Sequence, residues 1–366
     1  MESEPMADFS TLNLKANPFE NITPAVATDS RHLVWAGAEG IKKNLEKAYR
    51  DFANARLVVL NWGQWGGGKT FASYFFAQEN PDITHIYVRL PRDGATAIPL
   101  FFKDVLDALD LEVVKETVKK FQESLGRDAA LKFLKQHLRS NEFAEAVLAL
   151  ANDDEAKSQL VRSYLFGTAT KTDLKKLGLS RAIQSDSDYI RVLSGILLCF
   201  TGTDKHVGKV ALWIDEMEDL IYFNSKQAVS FTQSLRDLVD TLPERFLLAM
   251  NFSLATNEQD DVKIFLRDAL WSRVNRKIHF PQLSLDEAML YCKDLLNAFQ
   301  IEQGGYAPFE EKALKSFLEK IPLVERLPRQ INLELSELLY FALEHKFDKL
   351  DSSVINEFFE SSKISL

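Results

Sequence analysis

Gly63-Gln64-Trp65-Gly66-Gly67-Gly68-Lys69-Thr70 carries the most specific chemical spacing in this chain. Glycines at 63, 66, 67 and 68 let the backbone curl until successive N–H groups point into one concavity, which holds an anion. Lys69 directly after them brings a positive charge to the outer phosphates of a phosphate chain. The Thr70 hydroxyl is a hard oxygen ligand suited to Mg2+. Leu57-Val58-Val59-Leu60 ahead of the loop reads as a buried strand. Phe71–Gln78 behind it reads as a helix whose positive N-terminus faces the anion. Gly63, Gly66, Gly67, Gly68, Lys69, Thr70 and Phe71 are therefore the expected nucleotide-binding residues.

A second constellation follows about 145 residues later, where the apolar run Val210–Ile214 ends in Asp215-Glu216. Asp215 at the end of a strand would share Mg2+ with Thr70, directly or through water. Glu216 would orient and polarise an attacking water. A passive binder has no need of a second carboxylate there, so the pair points to a hydrolysing NTPase. Glu218 and Asp219 come next and read as a solvated turn and helix start.

Several elements must hold these groups together. His85–Leu90, Phe246–Met250 (ended by Asn251) and Lys277–Phe280 are further short apolar strands, and helical segments separate them. Continuous apolar strands alternating with helices predict an α/β fold with a parallel five-stranded sheet covered on both faces. The second and third strands are about 115 residues apart, far more than one crossover helix needs. A helical insertion at about 100–205 accounts for the surplus. After about Leu283 the apolar spacing is helical throughout. The expected organisation is a flexible lead-in over 1–28, a nucleotide-binding core over 29–282, and a helical lid over 283–366.

Composition narrows the classes. Hydrophobic residues form 46% and charged residues 27% of 366, ordinary for a globular chain with a large core. Two cysteines exclude a disulfide framework, and both lie in apolar stretches. The histidines show no metal-binding spacing. No apolar run approaches membrane-span length, and the acidic start lacks the features of a secretory signal, so the expected location is cytoplasmic. A net charge of -9 argues against a uniformly basic nucleic-acid binder but leaves room for a local patch. Lys171, Lys175, Lys176, Arg181, Lys205 and Lys209 form the least diluted candidate patch. The lysines and arginines between 115 and 139 alternate with carboxylates and read as a solvated helix face.

With these motifs the chain resembles the AAA+ ATPases over roughly residues 17–345. The resemblance rests on the glycine loop, Asp215-Glu216, Asn251, the segment Ala269-Leu270-Trp271-Ser272-Arg273-Val274, and the helical lid. It implies Mg2+-dependent hydrolysis of ATP, with adenine preferred. It implies that Asn251 senses the γ-phosphate, with Thr256 as a rival. It also implies that Arg273 reaches a neighbouring subunit's nucleotide, with Arg267 and Arg276 as alternatives. Arg329 in Leu327-Pro328-Arg329-Gln330 would contact phosphate from the lid. A homo-oligomeric ring or spiral formed with nucleotide follows from the same resemblance.

Asn17-Pro18-Phe19 looks like the lead-in of origin-recognition and transposon-regulator ATPases. Leu165-Phe166-Gly167, Asp173–Leu179 and Trp213–Glu218 are similar to the ATP-binding proteins of BREX-type phage-defence clusters. Gly37 is followed by Ala38-Glu39, where the origin-recognition branch usually carries Gly-Arg. The stretch after His345 is too short for that branch's winged helix, which weakens the expectation of DNA contact by that route. Two function classes stay open: an ATP-driven motor or loader acting on DNA in defence or mobile-element maintenance, and an ATP-switched platform that recruits a protein effector.

Overall fold

The computed structural model describes residues 8–20, 32–152, 154–203, 206–254 and 259–364. Its strands are β1 (Arg56–Gly63), β2 (Thr84–Arg89), β3 (Gly202–Thr203), β4 (His206–Val207), β5 (Val210–Asp215), β6 (Phe246–Ser253) and β7 (Arg276–Phe280). The five long ones form a parallel sheet in the order β2-β5-β6-β1-β7, and β3 with β4 make a small antiparallel ribbon. This is the expected sheet, with each strand one to four residues longer than its apolar run except β2, where Leu90 falls outside. β1 and β6 gain Asn61–Gly63 and Asn251–Ser253 because ladder pairing satisfies backbone groups beyond the apolar stretch.

Strand alternation divides the buried side chains between two cores. Val58, Leu60, Leu212, Ile214, Leu248 and Met250 face the helical insertion. Leu57, Val59, Ala211, Trp213, Leu247 and Ala249 face the helices Glu39–Asp51 and Lys69–Glu79. By the same alternation Asn61, Asp215 and Asn251 belong to the second face, at the carboxyl ends of their strands. That is where open parallel sheets bind ligands.

Among the described residues, seven helices between Ala97 and Thr201 make up the insertion. They are not a separate body, because their apolar residues run into the sheet's own core. The last of them, Asp186–Thr201, is started by a capping box from Ser185 and Asp188 and buries most of its length.

The lid comprises Leu285–Phe299, Glu311–Lys320, Pro328–Glu344 and Ser352–Ile364 around an apolar core of its own. Phe9, Leu12, Leu14 and Phe19 join that core. The Lys15 amide donates to Phe299 O at 2.8 Å, and Asn17 Nδ2 donates to Ser336 Oγ at 2.8 Å. The expectation of a flexible lead-in is thus corrected over 8–20: this segment is a strap across the lid. Each large apolar side chain removed from water favours docking by about 1.5–3 kcal/mol, and four of them share one short segment. Leu33 then enters the core below the sheet while Ala36 enters the lid core, so the chain stitches the two bodies together.

Candidate functional site

Gly63 closes β1 at φ 152°, and a Cβ there would stand 2.2 Å from the carbonyl oxygen of Phe280 on β7. No other residue fits that approach. Gly66, Gly67 and Gly68 complete the loop, and Gly68 caps the helix Lys69–Glu79. Phe71 offers only its main-chain N–H, one of the first-turn donors without an intrahelical partner. Its ring packs on Trp35 at a centroid distance of 5.9 Å.

Lys69 folds back over the loop, its Nζ donating to Gly63 O at 3.0 Å and Gln64 O at 2.9 Å. The side chain is buried, and burial lowers its pKa to about 8 against the opposing pull of Glu218 and Asp215. Arg329 adds to the lowering. An anion entering the loop would take over the ammonium's hydrogen bonds and raise its pKa again.

The carboxylate of Asp215 is held from three sides. Oδ2 accepts from Thr70 Oγ1 at 2.6 Å and from Tyr87 OH at 2.7 Å, and Oδ1 accepts from the Glu216 amide at 2.9 Å. One hydroxyl and one carboxylate, both hard oxygen donors in direct contact, fit Mg2+, which keeps most of its waters and takes the rest of its shell from phosphate. Among the described residues no cluster of three or more His, Cys, Asp or Glu side chains is placed to hold a metal ion. Sequence reasoning missed Tyr87. The β2–β5 register pairs Arg89 with Asp215, which puts Tyr87 on Asp215's face. Knowing that pairing is the one way to find it.

Glu216 takes a left-handed backbone (φ 57°) and leans towards the sheet edge, 3.8 Å from Arg89 Nε and 4.0 Å from an Arg92 nitrogen. Glu218 and Asp219 depart from the solvated reading. Glu218 is partly buried, accepts from the Ser253 amide at 2.9 Å, and has its pKa raised by burial. Asp219 is buried against Arg92 Nε at 2.9 Å.

Asn251 lies on β6 between the strands that carry Asp215 and the glycine loop. It is buried and accepts from Asn61 Nδ2 at 2.9 Å. Thr256 lies outside the described residues. The lid reaches the site through Arg329, whose main-chain N–H donates to Gly66 O at 3.2 Å.

Arg273 is not at this site. It grips Asp240 with Nε to Oδ1 at 3.0 Å and a terminal nitrogen to Oδ2 at 2.8 Å. Two residues later the Asn275 amide donates to Val58 O, near the opposite end of β1 from the loop. Arg276 pairs with Asp51, and exposed Arg267 donates to Ser225 Oγ at 3.3 Å.

The basic patch is thinner than its sequence suggests. Lys209 pairs with Asp82 at 2.9 Å and Arg181 with Asp188 at 2.8 Å. Lys171, Lys175 and Lys176 are exposed on the short helix Lys171–Leu177, and Lys205 lies outside the described residues. No helix among the described residues is long and apolar enough to cross a membrane.

No protein-family model matches the sequence, and no curated protein matches it. Solved structures do. The Aeropyrum pernix ORC2 protein, in its ADPNP–ADP complexes, superposes with a TM-score of 0.51 at 12% identity over 92% of this chain and 70% of that one. Drosophila ORC bound to DNA gives 0.49 at 13% identity, over 98% and 67%. Thermotoga maritima RuvB, a Holliday junction branch migration motor, gives 0.43 at 14% identity, over 89% and 70%. The first of these shows a shared fold. The parallel sheet with its helices is arranged as in that ORC2 protein over most of this chain.

Proposed function

We propose that this chain is an AAA+-type ATPase that binds ATP with Mg2+ and hydrolyses it. The observation that carries the reading is the hydrogen bond between Thr70 and Asp215 at the mouth of a glycine loop that Lys69 already spans. Residues 145 positions apart meet there, which supports a shared metal ligand role. The similar ORC2 protein was solved with ADPNP and ADP, which supports the same ligand class here.

In this reading the amides of Gly66–Phe71 and the Lys69 ammonium bind the phosphate chain. Thr70 and Asp215 would hold Mg2+, which neutralises charge on the outer phosphates when bound. Glu216 orients the attacking water once its side chain leaves Arg89 and Arg92. Asn251 donates to the terminal phosphate or to that water. Arg329, docked on Gly66, signals occupancy to the lid, and Arg273 acts on a second copy.

Lys69→Ala should abolish ATP binding. Glu216→Gln should keep binding but lower phosphate release by about 100-fold or more. Equal turnover in wild type and Glu216→Gln would sink the hydrolytic reading.

For the downstream task two readings stand. The first is remodelling of a nucleic-acid complex in phage defence or mobile-element maintenance. The second is a nucleotide-switched oligomeric platform for a protein effector. Pairing of Lys209 and Arg181 with carboxylates favours the second. ATPase rate with and without DNA, beside solution mass with and without ATP, separates them: stimulation by DNA supports the first, and assembly indifferent to DNA supports the second.

A further inference from the structure

Asn61 and Asn251 are in-register neighbours on β1 and β6, with relative exposures of 0% and 1%. Both lie on the sheet face that carries Asp215, and Asn61 stands two residues before the glycine loop begins at Gly63. Asn61 Nδ2 donates to Asn251 Oδ1 at 2.9 Å. Among the described residues the other half of each amide, Asn61 Oδ1 and Asn251 Nδ2, is buried with no partner. Buried polar groups are almost always satisfied, so an open donor and an open acceptor on one bonded pair mark a place where something polar binds.

We infer that Asn61 is a positioning residue that fixes which end of the Asn251 amide faces the site. An asparagine amide can turn over, presenting either a carbonyl or an NH2 group. Only the NH2 end attracts the oxygen of a γ-phosphate; the carbonyl end repels it. By donating to Asn251 Oδ1, Asn61 leaves the NH2 end of Asn251 free, and a phosphate oxygen there favours this arrangement over the one in which both amides have turned. Discrimination between triphosphate and diphosphate then depends on two asparagines, one of which lies on the strand that feeds the loop. This inference rests on the nucleotide-binding reading above.

The test is equilibrium binding of ATPγS and ADP, with Mg2+, in the full chain carrying Glu216→Gln to stop turnover. Asn61→Asp keeps the size of the side chain but turns its donor into an acceptor, so the Asn251 amide must turn over. It should weaken ATPγS about tenfold or more and leave ADP within about twofold. Asn251→Asp should do the same, and the double variant should be no worse than either single one. Asn61→Ala removes the donor without adding charge and carries the same expectation in weaker form, which covers the case in which a buried Asp prevents folding. Asn61→Ser retains an O–H donor and should keep more of the preference than Ala. A folded Asn61→Asp or Asn61→Ala variant with the parent's ATPγS-to-ADP ratio overturns the inference. Failure of the Glu216→Gln parent to bind either nucleotide overturns it too, by removing the reading beneath it, and is told apart because it precedes any change at Asn61.

Discussion

Lys69 is 4% exposed, and its pKa is lowered to about 8 from an ordinary 10.5 by burial. The folded pKa lies below the unfolded one, so the folded state binds fewer protons between pH 8 and 10.5. The charge penalty is fully present below about pH 8 and fades as the pH rises through that window. A phosphate chain reverses the preference, because it binds the protonated ammonium. Triphosphate affinity should therefore be highest below about pH 8 and fall above it, by up to about tenfold per pH unit. Titrating ATPγS from about pH 6.5 to about pH 9.5 checks this, and Lys69→Arg, which keeps its charge throughout, should flatten the profile. A flat wild-type profile would place the lysine away from the phosphates. The residue types at 63–70 and 215–216 were legible in the sequence because each is chemically scarce at that spacing. Tyr87, Glu218 and Asn61 were not legible. A tyrosine, a glutamate and an asparagine have many ordinary uses, and only strand register shows which of those they serve here.

At the scale of elements, the seam between lid and loop is a close contact. Gly66 sits at φ 84°, and a Cβ there would stand 2.8 Å from Arg329 Cβ. Side chains are strained at that angle and the lid helix Pro328–Glu344 has no room to yield without lifting off. Gly66→Ala should weaken ATP binding about tenfold or more and increase proteolysis at the lid. Gly40→Ala is the matched control: Gly40 lies within the helix Glu39–Asp51 with nothing within 4 Å of an added Cβ. That change should be neutral or stabilising by about 0.5–1 kcal/mol, read from thermal melting. In the lid, Ser284 caps Leu285–Phe299 and Pro328 opens the next-to-last helix, residue types that mark helix starts. The strap over 8–20 did not follow from the sequence. Its signal was four apolar residues in a polar segment, without a period to say which body would bury them.

For the whole molecule, the reading proposed above has one copy's nucleotide state reach another through Arg273. Arg273 is held by Asp240 within its own chain, near the opposite end of β1 from its own phosphate loop, so action on nucleotide requires a second copy and release from Asp240. Asp240→Asn should free it, and ATP-dependent assembly should then begin at lower protein concentration in sedimentation. Arg273→Ala should make ATPase activity per chain independent of protein concentration. Concentration dependence that survives Arg273→Ala would assign the role to Arg267 or Arg276.

The sequence by itself determined the glycine loop, the Asp215-Glu216 strand end, the parallel sheet and the helical lid. Each of these depends on local spacing: glycines next to a lysine, apolar runs ended by carboxylates, or a helical period. The tertiary structure decided the rest, because register, docking and burial are relations between distant segments. It set Tyr87 on Asp215 and Asn61 on Asn251, turned Glu216 towards two arginines, tied Arg273 to Asp240 and strapped the N-terminal segment to the lid. No local pattern encodes such pairings. They arise when backbone ladders and buried apolar surface fix which strands and helices are neighbours.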